Sequence, residues 1–98
     1  IWMGEFGRTP TINGNGGRDH WARSWSAVVG GAGFNRGIVV GETSADGREV
    51  SSEPYSSQDL MTSVLKALDI SLETTFRAKN GRPMKIANSG QVIPGLFS

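Results

Sequence analysis

The chain has 98 residues, a formal net charge of +1 and no cysteine. Its length suits one small domain. The near-neutral charge excludes the strong positive field of proteins that bind nucleic acid or anionic lipid, and the lack of cysteine excludes a disulfide framework and a thiolate metal site. No apolar run is long enough to span a bilayer. From the near-neutral charge we expect no nucleic-acid partner, and from the charge and the lack of such a run we expect no membrane partner.

The chain begins with a predicted strand end and a long loop. Residues 1–3 are apolar, whereas residues 4–21, "GEFGRTPTINGNGGRDHW", contain five glycines, two acids, two arginines and the single histidine. Asn-Gly pairs can form tight hairpin turns, but that pattern needs alternating apolar flanks, and the flanks here are polar. We therefore predict an irregular loop. From the abrupt apolar start we expect the C-terminal part of a longer protein or a processed chain.

The middle of the chain is predicted to contain a strand pair and a turn. Residues 26–34 and 37–43 are rich in valine and glycine and lie close together, which favours two strands joined through "NRG". Residues 44–49 form a polar turn around Asp46-Gly47. The following segment is extended or irregular, since Pro54 favours an extended Glu53.

The clearest predicted element is a helix over 56–70. Ser56 or Ser57 can cap its start, and Asp59 suits the positive first turn. The helix is expected to end near Asp69. Apolar residues recur at steps of three and four and predict one buried face; they are Leu60, Met61, Val64, Leu65 and Leu68.

The C-terminal tail is predicted to contain turns and short strands. Turns are expected at Asn80-Gly81 and Ser89-Gly90. "PMKI" and "QVI" are strand candidates, and Leu96 with Phe97 is expected to anchor the chain end. A few strands and one main helix indicate an α/β fold, in which ligands bind beyond the carboxyl ends of strands. The opening loop is expected at that place.

Three residues of the loop are candidate metal ligands. His20 carries an imidazole, a common ligand and acid–base group; Asp19 precedes it, and Glu5 follows the first strand. Each residue also has a simpler interpretation. His20 is then a polar loop histidine bonded to backbone, Asp19 makes an Asx-type turn bond to the backbone, and Glu5 is a solvated loop acid. Three ligands fit a catalytic zinc that keeps water in the fourth position, but a two-metal site needs more.

Two arginines of the loop are candidate anion ligands. The guanidinium groups of Arg8 and Arg18 match phosphate, sulfate or carboxylate oxygens in two-point fashion; the alternative is a surface ion pair of small energy. The amides of "GNGG" (14–17) are a weaker candidate cradle. Trp21 and Trp25 either line a pocket or pack against neighbouring side chains of the fold. No serine or threonine has a second histidine to activate it, so we expect this segment to complete a site and to be inactive alone.

The order of these motifs resembles the bacterial family known as domain of unknown function 1501, in its C-terminal part. The resemblance is carried by "GEFGRTP", "GGRDHW", "SAVVGGAGFNRGIVVGETSADGREV", "SQDLMTSVLKALDI", "NGRPMKI" and "GQVIPGLF", which together cover nearly the whole chain. That family is related to the alkaline phosphatase and sulfatase superfamily. Residues 1–98 are thus expected to be one segment of a larger alkaline-phosphatase-like α/β domain with a mostly parallel sheet.

The resemblance also implies a chemistry. Superfamily members hydrolyse phosphate or sulfate esters with divalent metal, here Zn, Mn, Ca or Mg. Glu5 occupies the position of an acidic ligand and His20 that of a later histidine, whereas Phe6 replaces the histidine of the superfamily's Asp-His pair. The helix is similar to a sulfatase pattern in which an Asp-Leu pair opens a helix that ends in Leu-x-Ile. The matching residues here are Asp59 and Leu60 at the start and Leu68 and Ile70 at the end.

Three functions follow from these expectations. The first is a segment of a metal-dependent phosphatase- or sulfatase-like hydrolase, with Glu5, Asp19 and His20 on metal and Arg8 and Arg18 on the ester anion. The second is a non-catalytic anion- or glycan-binding module of the same fold, and the third is a structural fragment. The expected partners are a phosphate or sulfate ester, the rest of the parent chain and, through an unpaired sheet edge, a second copy. The family resemblance implies a periplasmic or secreted protein.

Overall fold

A computed structural model describes all of residues 1–98. Six short strands and one helix form in chain order; they are β1 (Trp2–Met3), β2 (Gly7–Arg8), β3 (His20–Trp21), β4 (Ala27–Val28), α1 (Ser57–Ala67), β5 (Thr75–Arg77) and β6 (Pro83–Lys85). The predicted α/β character is confirmed at this level. The three strand pairs, β1–β4, β2–β3 and β5–β6, are all antiparallel. No helix is long and apolar enough to cross a bilayer, since α1 has 11 residues.

The chain forms two compact units. Unit 1 contains residues 1–30 and 39–54, and unit 2 contains residues 31–38 and 55–98. Unit 1 therefore holds β1 to β4 and the turn at Asp46, whereas unit 2 holds the helix and the last strand pair. All candidate ligands from the sequence lie in unit 1.

The predicted hairpin between residues 26–34 and 37–43 is wrong. β4 pairs with β1 instead, with Trp2 opposite Val28 and Met3 opposite Ala27, and residues 37–43 form no strand apart from an isolated bridge at Thr43. The connection contains left-handed glycines, with φ of +83° at Gly31, +86° at Gly33 and +65° at Gly37, and these interrupt the extended backbone that a continuous strand pair needs. Valine content predicted the strand at β4 but not its partner.

The predicted turn around Asp46-Gly47 is confirmed. Thr43 and Val50 form an antiparallel bridge on its two sides, and the Gly47 amide donates to the Ser44 carbonyl at 2.8 Å. Gly47 has a φ of +72°, a left-handed conformation that glycine adopts without steric cost. The sequence of this turn therefore matches its backbone geometry.

The predicted start of the helix is confirmed. Ser56 is the N-cap, and its side chain accepts from the Asp59 amide while the Asp59 carboxylate accepts from the Ser56 amide, which makes a capping box. The helix ends at Ala67, close to the predicted end. Asp69 follows with a φ of +56°, a conformation that cannot continue a right-handed helix.

The predicted apolar face of the helix is wrong in part. Leu65 is buried, but Met61 and Leu68 are 52% and 59% exposed. The most buried helical residues are instead Thr62 and Ser63, at 1% and 0% exposure. Small side chains lie there because the segment 87–93 approaches the helix backbone closely, and the larger apolar side chains are left on the outer faces.

Hydrogen bonds join the segment 87–93 to the helix. The Thr62 hydroxyl donates to the Ala87 carbonyl at 3.3 Å, and the Gln91 amide donates to the Asp59 carboxylate at 2.8 Å. The buried Ile93 amide donates to the Ser63 hydroxyl at 2.9 Å. "QVI" was expected to be a strand and is not one, because its amides bond to helix side chains instead of a neighbouring strand.

The β5–β6 hairpin is the last element. β6 coincides with the predicted strand "PMKI", whereas its partner β5 was not predicted, since threonine and arginine around Phe76 hide the apolar signal. The turn at Asn80-Gly81 joins them, with a φ of +82° at Gly81.

The chain end is anchored as expected: the rings of Phe97 and Phe34 stack with centroids 5.0 Å apart.

The capping box makes the helix sensitive to acid. The backbone amides of Ser56 and Gln91 hold the pKa of the Asp59 carboxyl below its ordinary value of 3.8. A depressed folded-state pKa stabilises the fold above the unfolded value, and this contribution is lost as the pH falls through the folded value. We expect helical circular dichroism to fall below about pH 3.8 more steeply in the wild type than in Asp59→Asn.

A matched control is Asp69→Asn, because Asp69 lies outside the capping box and asparagine tolerates its left-handed backbone. This variant should keep the wild-type acid profile. An acid profile of Asp59→Asn identical to that of the wild type would contradict the assignment.

Candidate functional site

The segment 4–21 is a loop closed at its base by a short strand pair and is called here the hairpin; the prediction of an irregular loop is wrong only for residues 7–8 and 20–21. β2 and β3 pair antiparallel, with Gly7 opposite Trp21 and Arg8 opposite His20. The Thr9 amide continues the ladder to the Asp19 carbonyl at 3.0 Å. Polar side chains stabilise this hairpin in place of the apolar cross-strand pairs that the sequence lacks.

Asn13 organises the glycine-rich tip of the hairpin. Its side-chain oxygen accepts from the amides of Asn15 at 2.9 Å and Gly17 at 3.0 Å, and its amide nitrogen donates to the Asp19 carboxylate at 2.9 Å. The Gly16 amide donates to the Asn13 carbonyl at 3.0 Å. These three backbone amides are therefore already bonded inside the loop, contrary to the expectation of an anion cradle.

The two arginines of the hairpin have different surroundings. The Arg18 guanidinium donates to the carbonyls of Thr9 at 2.9 Å and Pro10 at 2.8 Å, so it ties the two sides of the hairpin together. Arg8 is exposed, has one longer bond of 3.4 Å to the Arg18 carbonyl, and lies in no ion pair. Arg8 is thus the cation of the hairpin with most unused donors.

His20 and Arg8 share one face of the hairpin. Residues that oppose each other in an antiparallel pair project to the same side of the sheet. The His20 ring lies 4.2 Å from the Phe6 ring, centroid to centroid, and the Arg8 guanidinium lies 5.5 Å from the same ring. His20 is exposed and its imidazole makes no hydrogen bond within the chain, so its nitrogens are available to a ligand.

The other predicted ligands do not gather around His20. Asp19 precedes it along a strand, where neighbouring side chains alternate between faces, and the Asp19 carboxylate is bonded to Asn13. Glu5 lies in the bend before β2 and is exposed. No group of three or more histidine, aspartate or glutamate side chains is arranged to hold a metal ion. Metal ligation by these residues stays a prediction.

Trp21 lines an open depression on the opposite face of the hairpin. Its indole N–H donates to the Arg48 carbonyl at 2.7 Å. The depression has a volume of about 300 Å³; its lining residues are Trp21, Arg23, Ser44, Asp46, Arg48 and Glu49. The sequence singled out Trp21 as a pocket or packing residue but missed its four neighbours from the 44–49 turn, because only the docking of that turn brings them to it.

Asp46 is held ionised within this depression. The Ser44 hydroxyl and the Arg48 amide donate to its carboxylate at 2.7 and 3.1 Å. These hydrogen bonds, that of Ser44 foremost, lower the pKa of the Asp46 carboxyl from its ordinary value. The depression thus contains a permanent acceptor at neutral pH.

Comparison with known proteins gives one match. The model of the family described as "Protein of unknown function (DUF1501)" matches residues 1–97. No curated protein and no solved structure is found to match the chain.

Proposed function

We propose that this chain, which belongs to the DUF1501 family of proteins of unknown function, contributes the 4–21 hairpin to the site of a metal-dependent phosphatase- or sulfatase-like hydrolase. In this proposal His20 binds the metal and Arg8 binds the ester anion. The parent protein has the alkaline-phosphatase-like fold that the resemblance implies, and it acts in the periplasm or outside the cell.

The observation that carries the proposal is the pairing of Arg8 with His20 across β2 and β3. An imidazole without a hydrogen-bond partner and a guanidinium without a carboxylate partner lie on one exposed face of a braced hairpin. A metal ligand beside an anion ligand is what the hydrolysis of a phosphate or sulfate ester requires. Arg18 contributes to this proposal by holding the hairpin rather than by reaching for the anion.

The donor types fit a divalent metal. Imidazole suits zinc and manganese, and the carboxylates of Glu5 and Asp19 suit these metals as well as calcium and magnesium. Because the chain assembles no group of three such side chains, the proposal assigns the remaining ligands to the rest of the parent protein. A metal bound there would polarise the ester and lower the pKa of bound water.

Exposed apolar side chains support the assignment of residues 1–98 to a larger domain. Trp2 is 81% exposed and Val39 is 90% exposed, whereas the buried apolar core consists of Leu65 and Ile93 alone. Large exposed apolar surfaces mark contacts with other protein parts. The rest of the parent protein is the proposed cover of these side chains.

One observation favours a second candidate function, an anion-binding module without catalysis. The position next to His20 is filled by the Phe6 ring, which cannot ligate metal. A site with one imidazole fewer can still bind an ester anion through Arg8 while it lacks the metal needed to cleave that ester. The two candidates differ in metal content and in hydrolysis.

We expect His20→Ala to remove the metal from the purified parent protein. Losing an imidazole ligand should weaken metal binding by more than the roughly 10- to 100-fold that follows from loss of an outer-shell partner. Metal content is measured by elemental analysis. Asn15→Ala is the matched control, since Asn15 is exposed in the same hairpin and its side chain makes no hydrogen bond.

Aryl phosphate and aryl sulfate hydrolysis then separates the candidates. Metal that is lost in His20→Ala, together with hydrolysis abolished by a chelator, supports the hydrolase. Anion binding without metal and without hydrolysis supports the non-catalytic module. Metal content equal in the wild type and in His20→Ala would overturn the assignment of His20.

A further inference from the structure

The depression around Trp21, called here the indole pocket, is a built feature of unit 1. Two hydrogen bonds fix the turn 44–49 to the segment 21–24, from the Trp21 indole to the Arg48 carbonyl at 2.7 Å and from the buried Ser24 hydroxyl to the Gly47 carbonyl at 3.3 Å. Arg48 also donates to the Thr11 hydroxyl. Side-chain hydrogen bonds to two carbonyls of the turn therefore hold the turn 44–49 beside Trp21.

The charges of the indole pocket balance. Arg23 pairs with Glu49 at 3.1 Å, and Arg48 pairs with Asp46 at 3.7 Å. Two guanidiniums and two carboxylates leave no net charge to attract an ion. A ligand of this pocket is thus selected by hydrogen bonds and by contact with the indole ring.

Many hydrogen-bonding positions of the pocket remain open. A guanidinium carries five N–H donors and a carboxylate has about four acceptor positions, of which the ion pairs use only a few. The planar groups present donors and acceptors side by side next to a half-buried indole. Adjacent hydroxyl groups, which both donate and accept, match such paired positions. The Arg23 and Arg48 guanidiniums lie 5.6 and 6.0 Å from the centroid of the Trp21 ring, so hydrogen bonds to the sugar hydroxyls carry most of the recognition and the indole adds apolar contact at the pocket wall.

We propose that the indole pocket binds a neutral carbohydrate through one pyranose unit. Its volume of about 300 Å³ lies at the lower end of the range for small-molecule sites, which suits one sugar ring with the rest of a chain outside. The pocket is open, so a terminal or an internal unit can enter. Ser44 also lines the pocket, and its hydroxyl holds the Asp46 carboxylate in place.

This inference does not rest on the proposed hydrolase. Trp21 follows His20 along β3, and adjacent strand residues project to opposite faces. The Phe6–His20 contact and the Trp21–Arg48 hydrogen bond mark these two faces. The pocket is a second site, and a loss of metal binding at His20 leaves it intact.

The indole N–H resonance of Trp21 reports directly on the pocket. The chain has three tryptophans and therefore three indole N–H resonances, which are assigned to their residues before the titration. The probes are methyl glucoside, methyl galactoside and N-acetylglucosamine, with inorganic phosphate and sulfate as ions. We expect a saturable shift of the Trp21 resonance with at least one sugar, with a Kd of about 1 mM, while the resonances of Trp2 and Trp25 stay in place.

Glu49→Ala tests the charge argument. It removes acceptors and leaves Arg23 without its carboxylate partner, so sugar affinity should fall about tenfold, a loss of roughly 1.4 kcal/mol, and sulfate should begin to shift the Trp21 resonance. The control is Glu53→Ala, an exposed glutamate of the same unit that does not line the pocket. Glu49 is itself exposed, so the fold should tolerate its replacement.

The outcomes are distinct. A sugar-induced shift that weakens in Glu49→Ala and persists in Glu53→Ala supports the proposal. A wild-type response to phosphate or sulfate without a response to sugars would overturn it in favour of an ion site. No response to any probe, or equal sugar affinity in both variants, would also overturn it. His20→Ala, which should keep the sugar response, separates this test from that of the hydrolase.

Discussion

Replacing Gly7 with alanine is expected to disrupt the hairpin that carries His20 and Arg8. A Cβ atom at this position would run into the carbonyl oxygens of Ser24 and Trp21. Both obstacles are backbone atoms, which cannot rotate away as a long side chain can. Overpacking of this kind typically costs about 1–3 kcal/mol, and we expect the upper part of that range here because two strands must separate.

The test of Gly7 compares two alanine substitutions in one hairpin. A Cβ at Gly14 meets no atom within 4 Å, and its backbone is not left-handed. Gly14→Ala should therefore be neutral or stabilising by about 0.4–1 kcal/mol, through the entropy of the unfolded chain. Urea unfolding and hydrogen exchange of the Thr9 and Trp21 amides measure the difference. Equal protection of these amides in both variants would contradict the close approach at Gly7.

Ser63→Ala is expected to detach the C-terminal segment from the helix. The Ser63 hydroxyl accepts from the buried Ile93 amide at 2.9 Å and donates to the Asp59 carbonyl at 2.8 Å. Without the hydroxyl the Ile93 amide stays buried and unpaired, at a cost of about 1–3 kcal/mol. Ser63 is completely buried, so water cannot replace the lost partner unless the segment opens.

The comparison for Ser63 is Ser57→Ala, at an exposed position of the same helix. Both variants exchange serine for the better helix former alanine, but only one of them removes a buried acceptor. Ser57→Ala should leave stability within about 0.5 kcal/mol of the wild type. Hydrogen exchange at Ile93 should accelerate in Ser63→Ala alone. Unchanged exchange at Ile93 would show that Ser63 is not its acceptor.

Local sequence signals predicted the elements that depend on a few neighbouring residues. The helix start follows from a capping serine with Asp59 in the first turn, and the turns at Asp46-Gly47 and Asn80-Gly81 follow from residues that suit a left-handed backbone. These interactions span at most a few positions along the chain. They are therefore the same in any fold that contains the segment.

Long-range partners were not predictable in the same way. Valine content indicated a strand at Ala27–Val28 but not its pairing with residues 2–3. Apolar periodicity indicated a helix but not that Thr62 and Ser63 would be its most buried residues. The face that a helix buries depends on what approaches it, and here a close backbone segment excludes larger side chains.

The candidate sites divide along the same line. The sequence by itself determined family membership, the mixed α/β character and the identity of the loop that carries His20, Arg8 and Arg18. Only the tertiary structure decided that this loop is a hairpin, that Arg8 faces His20 while Arg18 braces the strands, and that the 44–49 turn forms a pocket with Trp21. The physical reason is that residue types fix which chemistry is available, whereas strand register and turn docking fix which groups share a face.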